Sequence, residues 1–162
     1  MFIVIMSDIH RGVSKAKRII ENCKRADLFV CLGDGVEVFD SLCEEIGVAH
    51  TQVCGNCDLF FASAKAPDSI FLNLDDKKIF GCHGHKYSVK YSLTNLKYAG
   101  LEKDADIVLF GHTHEQCIEY VNRDGKDDMI VLNPGSVGDS GCFATIDIRR
   151  GKILPNLTRL SD

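Results

Sequence analysis

The chain lacks any apolar run long enough to cross a membrane, and the apolar run at its N-terminus, residues 2–6, is too short for the core of a signal peptide. The expectation is a cytoplasmic protein with no membrane partner. It also lacks a positive balance: 19 Lys and Arg against 23 Asp and Glu give a formal net charge of -4. That leaves no electrostatic footprint for gripping nucleic acid and argues against a nuclease. No repeat, low-complexity stretch or linker divides the 162 residues, so residues 1–162 are read as a single domain large enough for one core. Finally, no second C-x-x-C pair follows Cys54 and Cys57 at zinc-finger spacing, and no helix is expected to open at Cys57, which weakens a redox or structural-zinc reading. The other cysteines fall mostly inside apolar runs or on helix faces, as small hydrophobes do in a reducing compartment.

What is present is a set of short polar motifs, each placed where an apolar run ends. They are Asp8-Ile9-His10, Gly33-Asp34, Gly55-Asn56, His83-Gly84-His85 and Gly111-His112-Thr113-His114. The runs before them, residues 2–6, 28–32, 49–54, 78–82 and 107–110, have the length and the Val, Ile and Phe content of buried strands. Polar residues therefore gather at strand ends, where open α/β sheets hold ligands.

Apolar positions Ala16, Ile19, Ile20 and Cys23, then Phe39, Leu42, Cys43 and Ile46, recur at helical spacing. The alternation predicts βαβ units with parallel strands as far as Cys54. Beyond Pro67 three hairpins are expected: residues 70–74 with 78–82 around Asp75-Asp76-Lys77, residues 117–133 turning near Asp124-Gly125, and residues 142–148 with 152–157. A helix is expected over residues 92–103. The whole reads as α/β (α+β): two mixed β-sheets packed face to face with helices outside.

In an extended segment residues i and i+2 point to one side, so Asp8 and His10 are expected to aim together, and His112 with His114. Asp34 sits between Gly33 and Gly35, whose missing side chains leave its carboxylate free to approach cations. Two divalent ions about 4 Å apart repel unless an anionic oxygen bridges them, which imidazole and amide cannot provide. Mixed oxygen and imidazole donors suit first-row divalent ions: manganese is the ion expected, with nickel, iron, zinc or cobalt as alternatives. Two carboxylates against two divalent ions leave two positive charges, matching one hydroxide and one phosphodiester.

Together with Asn56-Cys57-Asp58 and Asn133-Pro134-Gly135-Ser136, these motifs resemble those of the calcineurin-like metallophosphoesterase superfamily, in particular its small YfcE-type phosphodiesterases. The resemblance runs from Ser7 to Ser136. It implies a four-layer αββα sandwich with a dinuclear centre between the sheets. One ion would be held by Asp8, His10, Asp34 and His114 and the other by Asp34, Asn56, His83 and His112. The implied activity is hydrolysis of a small-molecule phosphodiester by a hydroxide bound at the two-metal centre, in a homodimer or homotetramer. The alternative is a metal-poor scaffold for protein interaction of the same fold, like the retromer subunit; that branch has lost the motif asparagine, which this chain retains.

Two positions depart from the family pattern. Larger members carry histidine after the motif asparagine, where it can protonate the leaving oxygen. Here Cys57 stands there, a weaker acid at neutral pH with an ordinary pKa of about 8.5. Arg11, where the subgroup often has glycine, either forks onto a substrate phosphate or is a solvated loop charge. His85 is expected to support a ligand or line the cleft, His50 to lie at the surface, and residues 133–136 to form a tight loop under the site. The loops 60–68 and 87–91 are expected to form cleft walls.

Overall fold

The computed structural model describes residues 1–58 and 66–161. Ten strands and four helices form among them. The first sheet takes β1 (Phe2–Met6), β2 (Leu28–Cys31), β3 (His50–Gln52), β9 (Cys142–Arg149) and β10 (Lys152–Arg159) in the order β10-β9-β1-β2-β3. The second takes β4 (Ser69–Leu74), β5 (Lys77–Cys82), β6 (Ile107–Leu109), β7 (Gln116–Arg123) and β8 (Lys126–Pro134) in the order β4-β5-β6-β8-β7. In the first sheet β1, β2 and β3 run parallel and β9 and β10 antiparallel.

Alternation along the strands builds three apolar layers. Ile3 and Ile5 of β1 and Ile107 and Leu109 of β6 face the space between the sheets, meeting Val30, Ile130, Leu132 and Ile146 there. Val4 and Met6 face the other way, against Ala16, Ile19 and Ile20 of α1 (Val13–Asn22) and Phe39, Leu42 and Cys43 of α2 (Val36–Ile46). Val108, with Phe110 beyond the end of β6, meets Leu96 and Ala99 of α3 (Thr94–Glu102). The strands that are central in both sheets are thus apolar on both faces, as parallel strands covered by helices must be. Each fully buried Ile or Leu adds about 2–3 kcal/mol. This is the αββα sandwich.

The first hairpin turns on Asp75 and Asp76, with φ of 48° and 60°, the twist a two-residue hairpin loop requires. The three expected hairpins form, β4 with β5, β7 with β8 and β9 with β10, and the short β6 joins the first two by pairing in parallel with both β5 and β8. Three expectations change. The third run is a strand only over His50–Gln52; Val53 still donates to the Cys31 carbonyl, but Cys54 turns to that of Pro67. Residues 133–136 are not one tight loop: Asn133 and Pro134 end β8, and Ser136 caps α4 (Val137–Ser140) by accepting from the Asp139 N–H at 3.0 Å. His50 is half-buried, its Nε2 2.9 Å from Asp40 Oδ1 and its Nδ1 3.1 Å from the Val48 carbonyl. All eight cysteines are free.

Candidate metal centre

The loops that follow β1, β2, β3, β5 and β6 meet at one end of the sandwich, and the polar motifs lie on them. They are not extended. Asp8, His10, Asp34, His112 and His114 have φ of 53°, 44°, 58°, 69° and 63°, all in the left-handed region. Asp8 and His10 do aim together, but through left-handed turns rather than a pleat. Asp and His tolerate this conformation better than most residues, at about 1–2 kcal/mol each. Cross-links between loops hold the turns: Asp8 donates to the Gly33 carbonyl and His10 to that of Asp34, each at 3.0 Å.

Close backbone approach explains the glycines. A Cβ on Gly111 would lie 1.9 Å from Ser7 Oγ and 2.9 Å from Asp8 Oδ2. Gly33 and Gly55 abut, a Cβ on Gly33 falling 2.6 Å from Gly55 N. Their role is to let the loops touch, rather than only to bare the Asp34 carboxylate.

Both carboxylates are held by one oxygen and present the other. Asp8 Oδ2 accepts from Ser7 Oγ at 2.6 Å and from the His112 N–H at 3.0 Å. Its Oδ1 is buried with no hydrogen-bond partner among the described residues. That atom faces imidazoles: His114 Nε2 at 3.1 Å, His10 Nε2 at 3.9 Å and His83 Nε2 at 4.0 Å. Asp34 Oδ1 accepts from the Cys57 N–H at 2.8 Å, while Oδ2 lies 3.5 Å from His83 Nε2 and 3.9 Å from His10 Nε2. Burial works to raise the Asp34 pKa, but the His83 imidazole and the Cys57 donor outweigh it and hold the carboxyl well below the usual range.

His83 is fully buried, and its Nδ1 sits 2.6 Å from the Leu32 carbonyl, which assigns the proton to Nδ1. Nε2 then faces acceptors alone, Asn56 Oδ1 at 3.1 Å and the two carboxylates. Burial pulls the His83 pKa down, yet Asp34 and Asp8 raise it above the ordinary value. A buried pocket of acceptors with one orphaned carboxylate oxygen calls for a cation, so these residues fit divalent ions.

All seven candidate residues converge here. Donor atoms within 4.8 Å of one another form the sets Asp8, His10, His114 and Asp8, Asp34, His83. Asn56 joins through His83. His112 belongs to neither set; its ring centroid lies 5.0 Å from that of His83, and burial, His83 and Lys90 bring its pKa down to about 4, the neutral state that ligation requires.

Three other expected positions are also in place. His85 packs 5.4 Å from the His83 ring with its Nδ1 buried and unpaired among the described residues. Arg11 lines a cavity of about 420 Å³ with His10, Asp34, Glu37, Val38 and Cys57. Cys57 is half-buried, and burial and Asp34 push its thiol up to about 11. The loop 60–68 lies largely outside the described residues.

Sequence reasoning gave no role to the groups that hold these residues. Asp58, 4% exposed, accepts from the N–H groups of Asp34 and Gly55 through Oδ2 and of Gly35 and Val36 through Oδ1. It thereby caps α2 from another loop, since Gly35 at the helix start offers no side chain. Asp139 Oδ2 lies 2.6 Å from His114 Nδ1 and turns Nε2 toward Asp8. Asn133 Nδ2 donates to the Gly111 carbonyl and Thr113 Oγ1, fixing the last histidine loop. Asp58 stood visibly beside Asn56 and Cys57 in the sequence; nothing marked Asp139.

Comparison with known proteins agrees with this geometry. Residues 1–151 match the calcineurin-like phosphoesterase superfamily domain. The chain is 32% identical over 140 residues to a Bacillus subtilis protein named probable metallophosphoesterase YsnB, covering 85% of this chain and 75% of that one. It is 32% identical over 149 residues to a Methanocaldococcus jannaschii phosphodiesterase, covering 83% of each. Among solved structures, a predicted phosphoesterase from Streptococcus pneumoniae superposes with a TM-score of 0.80 at 25% identity, covering 98% of this chain and 88% of that one. Vacuolar protein sorting 29 from Cryptosporidium parvum shares the fold alone, with a TM-score of 0.72 at 18% identity over 99% and 98% of the two chains. With its convergent carboxylates and imidazoles, its paired sheets and a family match over nearly its full length, this chain belongs to the calcineurin-like phosphoesterase superfamily.

Proposed function

We propose that the protein is a metal-dependent phosphodiesterase with two divalent ions at this centre. Asp8, His10, Asp34 and His114 would hold one ion, and Asp34, Asn56, His83 and His112 the other. Asp34 would be the bridge on the family resemblance, and in support its Oδ2 lies 3.9 Å from His10 Nε2 and 3.5 Å from His83 Nε2, one nitrogen from each set. The observation that carries the reading is the buried, unpaired Asp8 Oδ1, surrounded by imidazole nitrogens where a hydrogen-bond donor would otherwise be needed. When bound, such ions lower the pKa of a water to about 7 and neutralise charge on the phosphoryl oxygens.

The protein's own groups position and select. Asp139 and the Leu32 carbonyl fix the rings of His114 and His83, each by the nitrogen facing away from the centre. The cavity beside His10 and Asp34 gives a small diester room to lie with one substituent along Val38 and its phosphate within the span of Arg11. The complete donor set favours the enzyme over the scaffold reading. The oxygen and imidazole donors support manganese. Eight free cysteines suit the cytoplasm, and no helix among the described residues is long and apolar enough to cross a membrane. A homodimer or homotetramer rests on the family resemblance alone.

The test is a hydrolysis screen after chelation and reloading. Aryl diesters, cyclic nucleotides and dinucleotides should turn over with manganese restored and not without it, and diesters should react faster than monoesters. A manganese-loaded protein that hydrolyses no phosphodiester would overturn the reading.

A further inference from the structure

At the centre one donor atom, the Cys57 sulfur, lies outside the two ligand sets assigned above. His10, Asp34 and Cys57 each offer one atom within 4.8 Å of the other two. Asp34 is 3% exposed, whereas the His10 side chain is 32% exposed and Cys57 half-buried, and both open on the cavity of about 420 Å³. The Cys57 sulfur is also held in place: it accepts the Asn56 Nδ2–H at 3.5 Å, which turns the Asn56 carbonyl oxygen toward His83. A sulfur thus sits at the cavity edge of a centre otherwise made of oxygen and nitrogen.

We propose that Cys57, with His10 and Asp34, forms a sulfur-bearing coordination position that is taken up by thiophilic divalent ions such as cadmium and zinc and left unused by manganese. The inference rests on the metal-centre reading and extends it to metal selection. Soft thiolate favours zinc-type ions, while carboxylate, carbonyl and water suit manganese, so one sulfur at the edge of a mixed site sorts ions by softness rather than by size. On binding, the Cys57 S–H bond breaks, its proton passes to the buffer, and the freed sulfur electron pair forms the bond to the cation. No oxidation is involved. Because the position faces the cavity, an ion held there lies where substrate must enter, and a thiophilic ion would compete with substrate as well as with manganese.

The experiment titrates the metal-free full chain with cadmium alone and follows the ultraviolet sulfur-to-cadmium charge-transfer band, with manganese binding measured separately by calorimetry. Wild type should develop the band over the first equivalents. Cys57→Ser should lose it and bind cadmium at least about tenfold more weakly, the lower end of what losing even an outer partner of a metal costs. The serine oxygen can still accept the Asn56 Nδ2–H, so manganese affinity should be the same in both proteins, which also shows that the variant is folded. A band of equal intensity in Cys57→Ser would assign the sulfur to another cysteine and overturn the proposal. An equal loss of manganese binding would overturn it too, by showing that Cys57 acts through Asn56. If wild type binds manganese but shows no band, the sulfur position fails alone; if it binds no divalent ion at all, the metal-centre reading fails with it.

Discussion

Asp58 Oδ2 accepts the backbone N–H of Asp34 at 2.7 Å, so a carboxylate outside the proposed ligand set holds the backbone of the proposed bridge. The same side chain takes the N–H groups of Gly35, Val36 and Gly55, tying the loop after β2, the start of α2 and the loop after β3 into one unit.

Asp58→Ala should therefore damage both stability and the site. It strips the acceptor from four backbone donors, three of them in buried bonds, at about 1–3 kcal/mol for each group left unmet. The expected loss is about 3 kcal/mol in chemical denaturation, with reduced metal content in the folded protein. A variant with unchanged denaturation midpoint would mean that the four donors find other partners.

Asp139→Ala separates ring orientation from folding. Asp139 is largely exposed at its carboxylate, so the fold should hold, but His114 loses the partner 2.6 Å from Nδ1 that aims its other nitrogen. Manganese affinity should fall about 10–100-fold with thermal stability nearly unchanged. Calorimetric titration of the metal-free variant checks this, and wild-type affinity would show that the ring needs no such partner.

Asp104 sets a pH dependence away from the site. Lys126 Nζ at 2.7 Å and Lys78 Nζ at 2.8 Å hold its carboxyl at about 2, below the ordinary 3.8. Because the folded value lies below the unfolded one, this contribution is present above about pH 4 and fades as pH falls toward 2. Asp104→Asn should be less stable than wild type at neutral pH, and the two denaturation midpoints should converge near pH 2. A constant gap down to that pH would assign the effect to something other than this charge.

The leaving group tests the position after Asn56. With cysteine rather than imidazole there, negative charge builds on the departing oxygen without a good proton donor, so rates should fall steeply as leaving-group pKa rises. Aryl diesters should outpace alkyl diesters, and Cys57→His should flatten the slope. A flat slope in the wild type would show that another group already supplies the proton.

Much of the fold was legible because buried strands and amphipathic helices carry their periods openly: Ile3 to Met6, Ala16 with Ile19 and Ile20, and Phe39 with Leu42 and Cys43 all lie where their spacing put them. The parallel pairing of β6 with β8 was hidden, since a strand's partner depends on the whole chain path. All seven candidate residues were legible by type and placement at strand ends. The left-handed backbone of five of them was not, because Asp8, His10 and His112 adopt it where they bond to loops far apart in sequence. Asp139 escaped for a related reason: it is one exposed acidic residue in a short helix, and only folding brings it to His114.

The central claim is a two-ion centre bridged by Asp34, and metal stoichiometry tests it most directly. Elemental analysis of protein purified with excess manganese should give two equivalents for wild type and close to one for Asn56→Ala, whose amide serves only the ion near His83. Asp34→Asn, which removes the shared charge, should lose most of both. Two full equivalents in Asp34→Asn, or a single equivalent in wild type under saturating manganese, would contradict the account.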